Sequence, residues 1–131
     1  MPSDLRQILS SAKNIAVVGL SPDESKPSNE VAKFLIESGF NVFPVYPKFD
    51  EILGRKVYRN LTQIDENIDI AVMFRKGEFA SELVKDAVKK GVKTLWLQLG
   101  ITNGAAGAVA RENGINFVQD KCIKIERQRL D

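Results

Sequence analysis

The stretch Asn14-Ile15-Ala16-Val17-Val18-Gly19-Leu20-Ser21 decides the fold of this 131-residue chain. Its run of β-branched and small apolar side chains suits a strand buried on both faces, as in the interior of a parallel sheet. Glycine at the end of that strand permits a tight turn and lets a ligand come close to the backbone. A loop containing Lys26 and Pro27 follows, and a helix is expected over residues 28–38 with Ser28 as its cap. The free N–H groups and positive dipole end of that helix would aim at the space beside the glycine. The crossover therefore reads as a phosphate-binding unit, and its ligand as a nucleotide.

Working outward, the expected helix turns Val31, Phe34 and Leu35 inward, stops at Gly39 and returns as a strand over residues 41–45. The same junction recurs twice. Phe79, Leu83, Val84, Ala87 and Val88 form the apolar face of a helix that stops at Gly91, ahead of a strand over 94–97. An Ala-rich helix over 103–113 stops at Gly114, ahead of a strand over 117–119, and a further strand is expected over 69–74. Upstream, Ser3 is placed to cap a first helix whose Leu5, Ile8, Leu9 and Ala12 share one face. This alternation predicts an α/β fold: one Rossmann-like, three-layer domain over residues 1–131 with a mostly parallel sheet of about five strands. Residues 49–67 break the pattern, with 51–58 reading as an excursion and 61–64 as one helical turn. A site-forming connection and a plain surface loop both fit them. The end of the chain, residues 121–131, reads as an edge strand with a solvated face.

Composition narrows the function. The chain is 44% hydrophobic and 27% charged with a net charge of +2, values of an ordinary globular protein and too balanced for a nucleic-acid or anionic-membrane surface. No apolar run approaches the ~20 residues of a membrane span, and the first residues lack the order of a signal peptide, so the cytoplasm is the expected location. The single cysteine, Cys122, excludes an intrachain disulfide and a Cys-based metal cluster. It reads as a half-buried structural residue, with a reactive thiol as the alternative. The absence of histidine removes His-based triads, imidazole zinc sites and phosphohistidine chemistry. No catalytic constellation and no metal site emerges.

Binding residues can be placed. Against a dinucleotide fingerprint GxGxxG, the second and third glycines would align with Ser21 and Glu24, so a hydroxyl stands where the pyrophosphate would otherwise settle. Gly19, Ser21 and Ser28 form a candidate phosphate cradle; the alternative is an ordinary βα turn. Lys26 either meets that phosphate as a point charge or is a solvated loop lysine. The second strand ends in Val45-Tyr46-Pro47-Lys48, where an NAD-binding unit wants an acid for the ribose hydroxyls. Lys48 favours instead a phosphorylated ribose, as in CoA or NADP, and Pro47 offers adenine a stiff edge. Arg75, Gln98 and Gly100 follow later strands and belong to the same carboxyl edge, whereas Trp96 reads as core.

Taken together, residues 15–21, Lys26-Pro27-Ser28, Pro44-Val45-Tyr46-Pro47-Lys48, Ile52-Leu53-Gly54-Arg55-Lys56-Val57-Tyr58, Leu95-Trp96-Leu97-Gln98-Leu99-Gly100 and Asp120-Lys121-Cys122-Ile123-Lys124-Ile125-Glu126 resemble the stand-alone CoA-binding domain proteins. These are similar to the CoA-binding domain of the succinyl-CoA synthetase α subunit. The resemblance implies that Gly19, Leu20 and Ser21 with Lys26, Pro27 and Ser28 face the phosphates of coenzyme A. It also implies that Tyr46, Pro47 and Lys48 face the adenosine end, and that Phe74, Arg75, Gln98 and Gly100 line the remaining groove. Tyr46 departs from the asparagine common at its position. The expectation is a binder of CoA or an acyl-CoA without catalysis of its own, acting as a homodimer or with a partner enzyme. The alternative is a minimal NADP-dependent oxidoreductase or nucleotide-dependent transferase that needs a partner subunit.

Overall fold

A computed structural model describes residues 4–130 of the chain. The first helix, α1 (Leu5–Ser11), is capped by Asp4, whose carboxylate accepts the Gln7 N–H at 2.8 Å; Ser3 lies outside the described residues. Then come β1 (Asn14–Val18), α2 (Pro27–Glu37), β2 (Asn41–Val45) and a small hairpin, β3 (Glu51–Ile52) and β4 (Arg55–Lys56). The chain continues through β5 (Ile70–Met73), α3 (Ala80–Lys90), β6 (Thr94–Leu97), α4 (Gly104–Glu112), β7 (Asn116–Val118) and α5 (Ile123–Gln128). The main sheet has five strands in the order β2-β1-β5-β6-β7, and every pairing is parallel. This is a Rossmann-like α/β domain.

Alternation along the strands builds its two cores. In β1, Ile15 and Val17 face one layer, with Val31, Ala32 and Leu35 of α2 and Ile8 and Leu9 of α1. Ala16 and Val18 face the other layer, with Leu83, Val84 and Ala87 of α3 and Ala106 and Ala110 of α4. Successive strand side chains point to opposite faces, so an unbroken apolar run serves both layers. Trp96 is fully buried in the first core and its indole N–H donates to the Lys121 carbonyl at 2.8 Å. Truncating such a side chain to alanine costs about 3–5 kcal/mol.

Three expectations are corrected. Residues 123–128 are helical, and β7 forms that edge of the sheet instead. The chain leaves the sheet because the Lys121 carbonyl is held by Trp96 and the Ile123 N–H donates to the buried Gln98 side chain at 3.2 Å. Ile123 is then fully buried against the first core while Ile125 is exposed. The alternation of Ile123 and Ile125 with charged residues is therefore compatible with a helix of which one isoleucine packs and the other does not. Second, α2 begins at Pro27, with Lys26 at the cap position and no side-chain cap bond; Ser28 lies inside the first turn. Third, Phe79 precedes α3 in a 3-10 turn and is exposed beneath the Arg75 guanidinium, whose carbon lies 3.8 Å from the ring centre.

Candidate functional site

The strand order reverses beside β1. From β1 the chain steps outward to β2, then returns past β1 to β5 and continues the other way. At such a switch point the loops leaving neighbouring strands diverge and leave a crevice at the carboxyl edge. Here that crevice is an open cleft of about 580 Å³ whose lining includes Gly19, Ser21, Lys26, Pro27 and Ser28 on the crossover side. Its size lies in the range of sites for small molecules.

Gly19 makes the close turn possible. It takes φ +87°, its N–H donates to the Val45 carbonyl at 2.8 Å, and a Cβ there would lie 3.0 Å from Cγ of Arg75. The chain then folds Leu20 into the core, where it is fully buried and adds nothing to the cleft. Ser21 is fixed by the first turn of α2. Its N–H donates to the Ser28 hydroxyl oxygen at 3.0 Å, and its carbonyl accepts from the Asn29 amide at 2.9 Å.

The hydroxyls are thereby set as donors. Ser28 Oγ accepts from Ser21, and Ser21 Oγ accepts the Asp23 N–H at 3.1 Å, so each keeps its own proton to give. The Asp23 carboxylate closes the outer turn by accepting from the Ser25 hydroxyl and N–H, and these bonds hold its pKa below the ordinary value. At the head of α2, Asn29 and Glu30 bond back to the Lys26 carbonyl and Pro27 has no N–H. The Ser28 N–H is the orphan that a helix start leaves to an outside acceptor.

Across the cleft stand Tyr46, Pro47 and Arg59 on one side and Phe74, Arg75, Gln98, Leu99 and Ile101 on the other. Gln98 is nearly buried; its carbonyl oxygen is taken by Ile123, which leaves its amide hydrogens as donors. Lys26, Arg59 and Arg75 bring positive charge, and among the described residues no carboxylate or thiol lines the cleft. The arrangement suits an elongated anion with apolar portions.

Of the positions expected from the sequence, Gly19, Ser21, Lys26, Pro27, Ser28, Tyr46, Pro47, Phe74, Arg75 and Gln98 are brought together here. Leu20, Lys48 and Gly100 are not among the lining residues. Gly100 instead donates its N–H to the Asp120 carboxylate at 2.7 Å, and Lys48 is exposed beyond the cleft. Val18, Val45, Leu99 and Ile101 were passed over although they flank the same strand ends. Arg59 carried no local signal, since its position depends on the excursion returning beside β2. There Tyr58 bridges Val45 in parallel register, and the Tyr46 N–H donates to the Tyr58 carbonyl at 3.0 Å.

The structure defines a Rossmann-like protein with an open cleft at the switch point of its sheet. The particular family follows from likeness: the family described as CoA binding domain matches residues 13–128, and the chain belongs to it. The protein YneT of Bacillus subtilis is 34% identical over 123 residues, covering 94% of this chain and 91% of that protein. Acetate--CoA ligase [ADP-forming] I of Archaeoglobus fulgidus is 31% identical over 121 residues, which are 85% of this chain and 18% of the ligase. A hypothetical protein from Pyrococcus horikoshii OT3 superposes with a TM-score of 0.92 at 40% identity, covering 95% of this chain and 88% of that one. No described helix is long and apolar enough to cross a membrane.

Proposed function

We propose that this protein binds coenzyme A or an acyl-CoA in the cleft at the carboxyl edge of its sheet and carries out no bond chemistry on it alone. The observation that carries the reading is the crossover, where Gly19, two proton-donating hydroxyls, Lys26 and the uncapped start of α2 converge on one end of the cleft. A pyrophosphate is the group that such donors recognise. The far side, with Phe74, Leu99 and Ile101, offers apolar contact to a pantetheine arm.

Membership of the CoA binding domain family supports the choice of CoA over other nucleotides. The cleft lining supplies cations, hydroxyls and an amide but no carboxylate or thiol among the described residues, which favours holding a ligand over general acid–base work. The related ligase is about five times longer than the matched segment, so a catalytic partner in the same cytoplasm is part of the proposal.

Thermal unfolding with CoA, dephospho-CoA, NAD and NADP tests it. A ligand at 100 times its dissociation constant adds about 2.7 kcal/mol, a shift on the order of 10 °C for a domain this size. The expected result is a shift with CoA and none with NAD or NADP, while acetyl-CoA incubated with the protein keeps its thioester. A shift with NADP alone, or release of free thiol from acetyl-CoA, overturns the reading.

A further inference from the structure

The second wall of the cleft holds a cation that local sequence does not announce. Arg59 leaves the segment paired with β2 at the level of Tyr46 and Pro47, where a ligand's ribose would sit. One terminal nitrogen, Nη1, donates to the Phe49 carbonyl at 2.8 Å and the Tyr46 carbonyl at 3.2 Å. The other, Nη2, faces the Asp50 carboxylate at 3.5 Å. These contacts fix the plane of the guanidinium and hold the loop in which Phe49 takes φ +68°.

A guanidinium has five N–H donors in a planar fork, and these contacts engage three, leaving Nε–H and one hydrogen on Nη2. Two unspent donors on a planar, charged group are what the oxygens of a phosphate recognise. Asp50 is fully exposed, so its ion pair with Arg59 is weak and a phosphate displaces it. Lys48, the nearer residue in sequence, does not line the cleft.

We propose that Arg59 is the residue that reads a phosphate on the ligand's ribose, and so selects CoA over its dephosphorylated form. This rests on the CoA-binding reading above. Because Arg59 is already held by two backbone carbonyls, little of its rotamer freedom is lost on binding, which favours discrimination over a loose charge.

The test is calorimetric titration of the wild type, Arg59→Gln, Arg59→Lys and Lys48→Gln with CoA and with dephospho-CoA. The wild type is expected to prefer CoA. Arg59→Gln should weaken CoA roughly tenfold to a hundredfold, the loss of a charged hydrogen-bonded contact, and leave dephospho-CoA within about twofold. Arg59→Lys should restore part of the preference, and Lys48→Gln should leave it intact.

Equal weakening of both ligands by Arg59→Gln would make Arg59 a loop clamp only and overturn the proposal. So would collapse of the preference in Lys48→Gln, or a wild type that binds both ligands equally while CoA binding itself stands. A wild type that binds neither ligand removes the CoA reading as a whole, a result distinct from each of these.

Discussion

The two edges of this sheet spend their polar groups in opposite ways. At the amino edge, the Asp69 carboxylate accepts the backbone N–H groups of Lys13 and Asn14, each at 2.9 Å, and pairs with Lys93 at 3.4 Å. The Asn14 amide donates to the Asn67 carbonyl at 2.8 Å, and its oxygen accepts from Asn41 at 2.9 Å. At the carboxyl edge, Ser21 and Ser28 accept from the loop but keep their protons, α2 starts without a side-chain cap, and three cations face a cleft without carboxylates among the described residues. Polar residues are therefore no mark of a site by themselves. A site is where donors converge and the fold leaves them unanswered, while the edge whose polar groups bond one another ties the strands together.

Four measurements test that contrast. The largest effect is expected from Asp69→Ala, which strands two backbone donors and a lysine; stability should fall by roughly 2–4 kcal/mol. Thermal unfolding would register this as a drop on the order of 10 °C. CoA affinity, followed by calorimetry, should change less than about twofold, and a parallel loss of affinity would show that the edges are not independent. Next is Gly77→Ala in the loop after β5. A Cβ there would lie 2.2 Å from the Thr102 carbonyl oxygen, and the two loops are further tied by the Asn103 amide donating to the Gly77 carbonyl at 2.9 Å. A loss of about 1–3 kcal/mol, as for overpacking, together with weaker CoA binding, would mark this part of the carboxyl edge as locked.

Ser28→Ala inverts the first prediction. It should cost only about 1 kcal/mol of stability but weaken CoA about tenfold, since one cleft donor is lost and the Ser21 N–H is left without its acceptor. Unchanged affinity would separate Ser28 from the proposed phosphate site. The smallest effect concerns pH. Burial raises the Asp69 pKa, but hydrogen bonds from Asn14 and Lys13 and the nearby Lys93 outweigh it, leaving the carboxyl below its ordinary 3.8. A group depressed in the folded state takes up its proton first in the unfolded chain. Its contribution is therefore complete well above pH 3.8 and lost as pH falls toward the lower folded value. Acid unfolding followed by circular dichroism should accordingly be shallower in Asp69→Ala than in the wild type.

How much of this was written along the chain differs between fold and site. The β1 run and its glycine, and the glycines at 39, 91 and 114, are local signals because strand burial and positive φ are demands on single residues. They were enough to read an alternating α/β domain and to find the crossover half of the cleft. The C-terminal helix was misread because Ile123 and Ile125 have the spacing of a strand, while the bonds that turn the chain come from Gln98 and Trp96, far away in sequence. Arg59 has no mark along the chain for a similar reason. Adjacency to the strand end is visible in sequence, but the return of residues 57–59 beside β2 is not.

By itself the sequence determined the layers, the sheet's parallel character and the glycine-centred turn, since those follow from periodicity and backbone freedom within a few residues. Folding in three dimensions settles which edge of the sheet keeps its donors open, and brings Arg59 beside the end of β2. Those depend on partners brought together from distant segments, and no local pattern records where a side chain's hydrogen bonds will be spent.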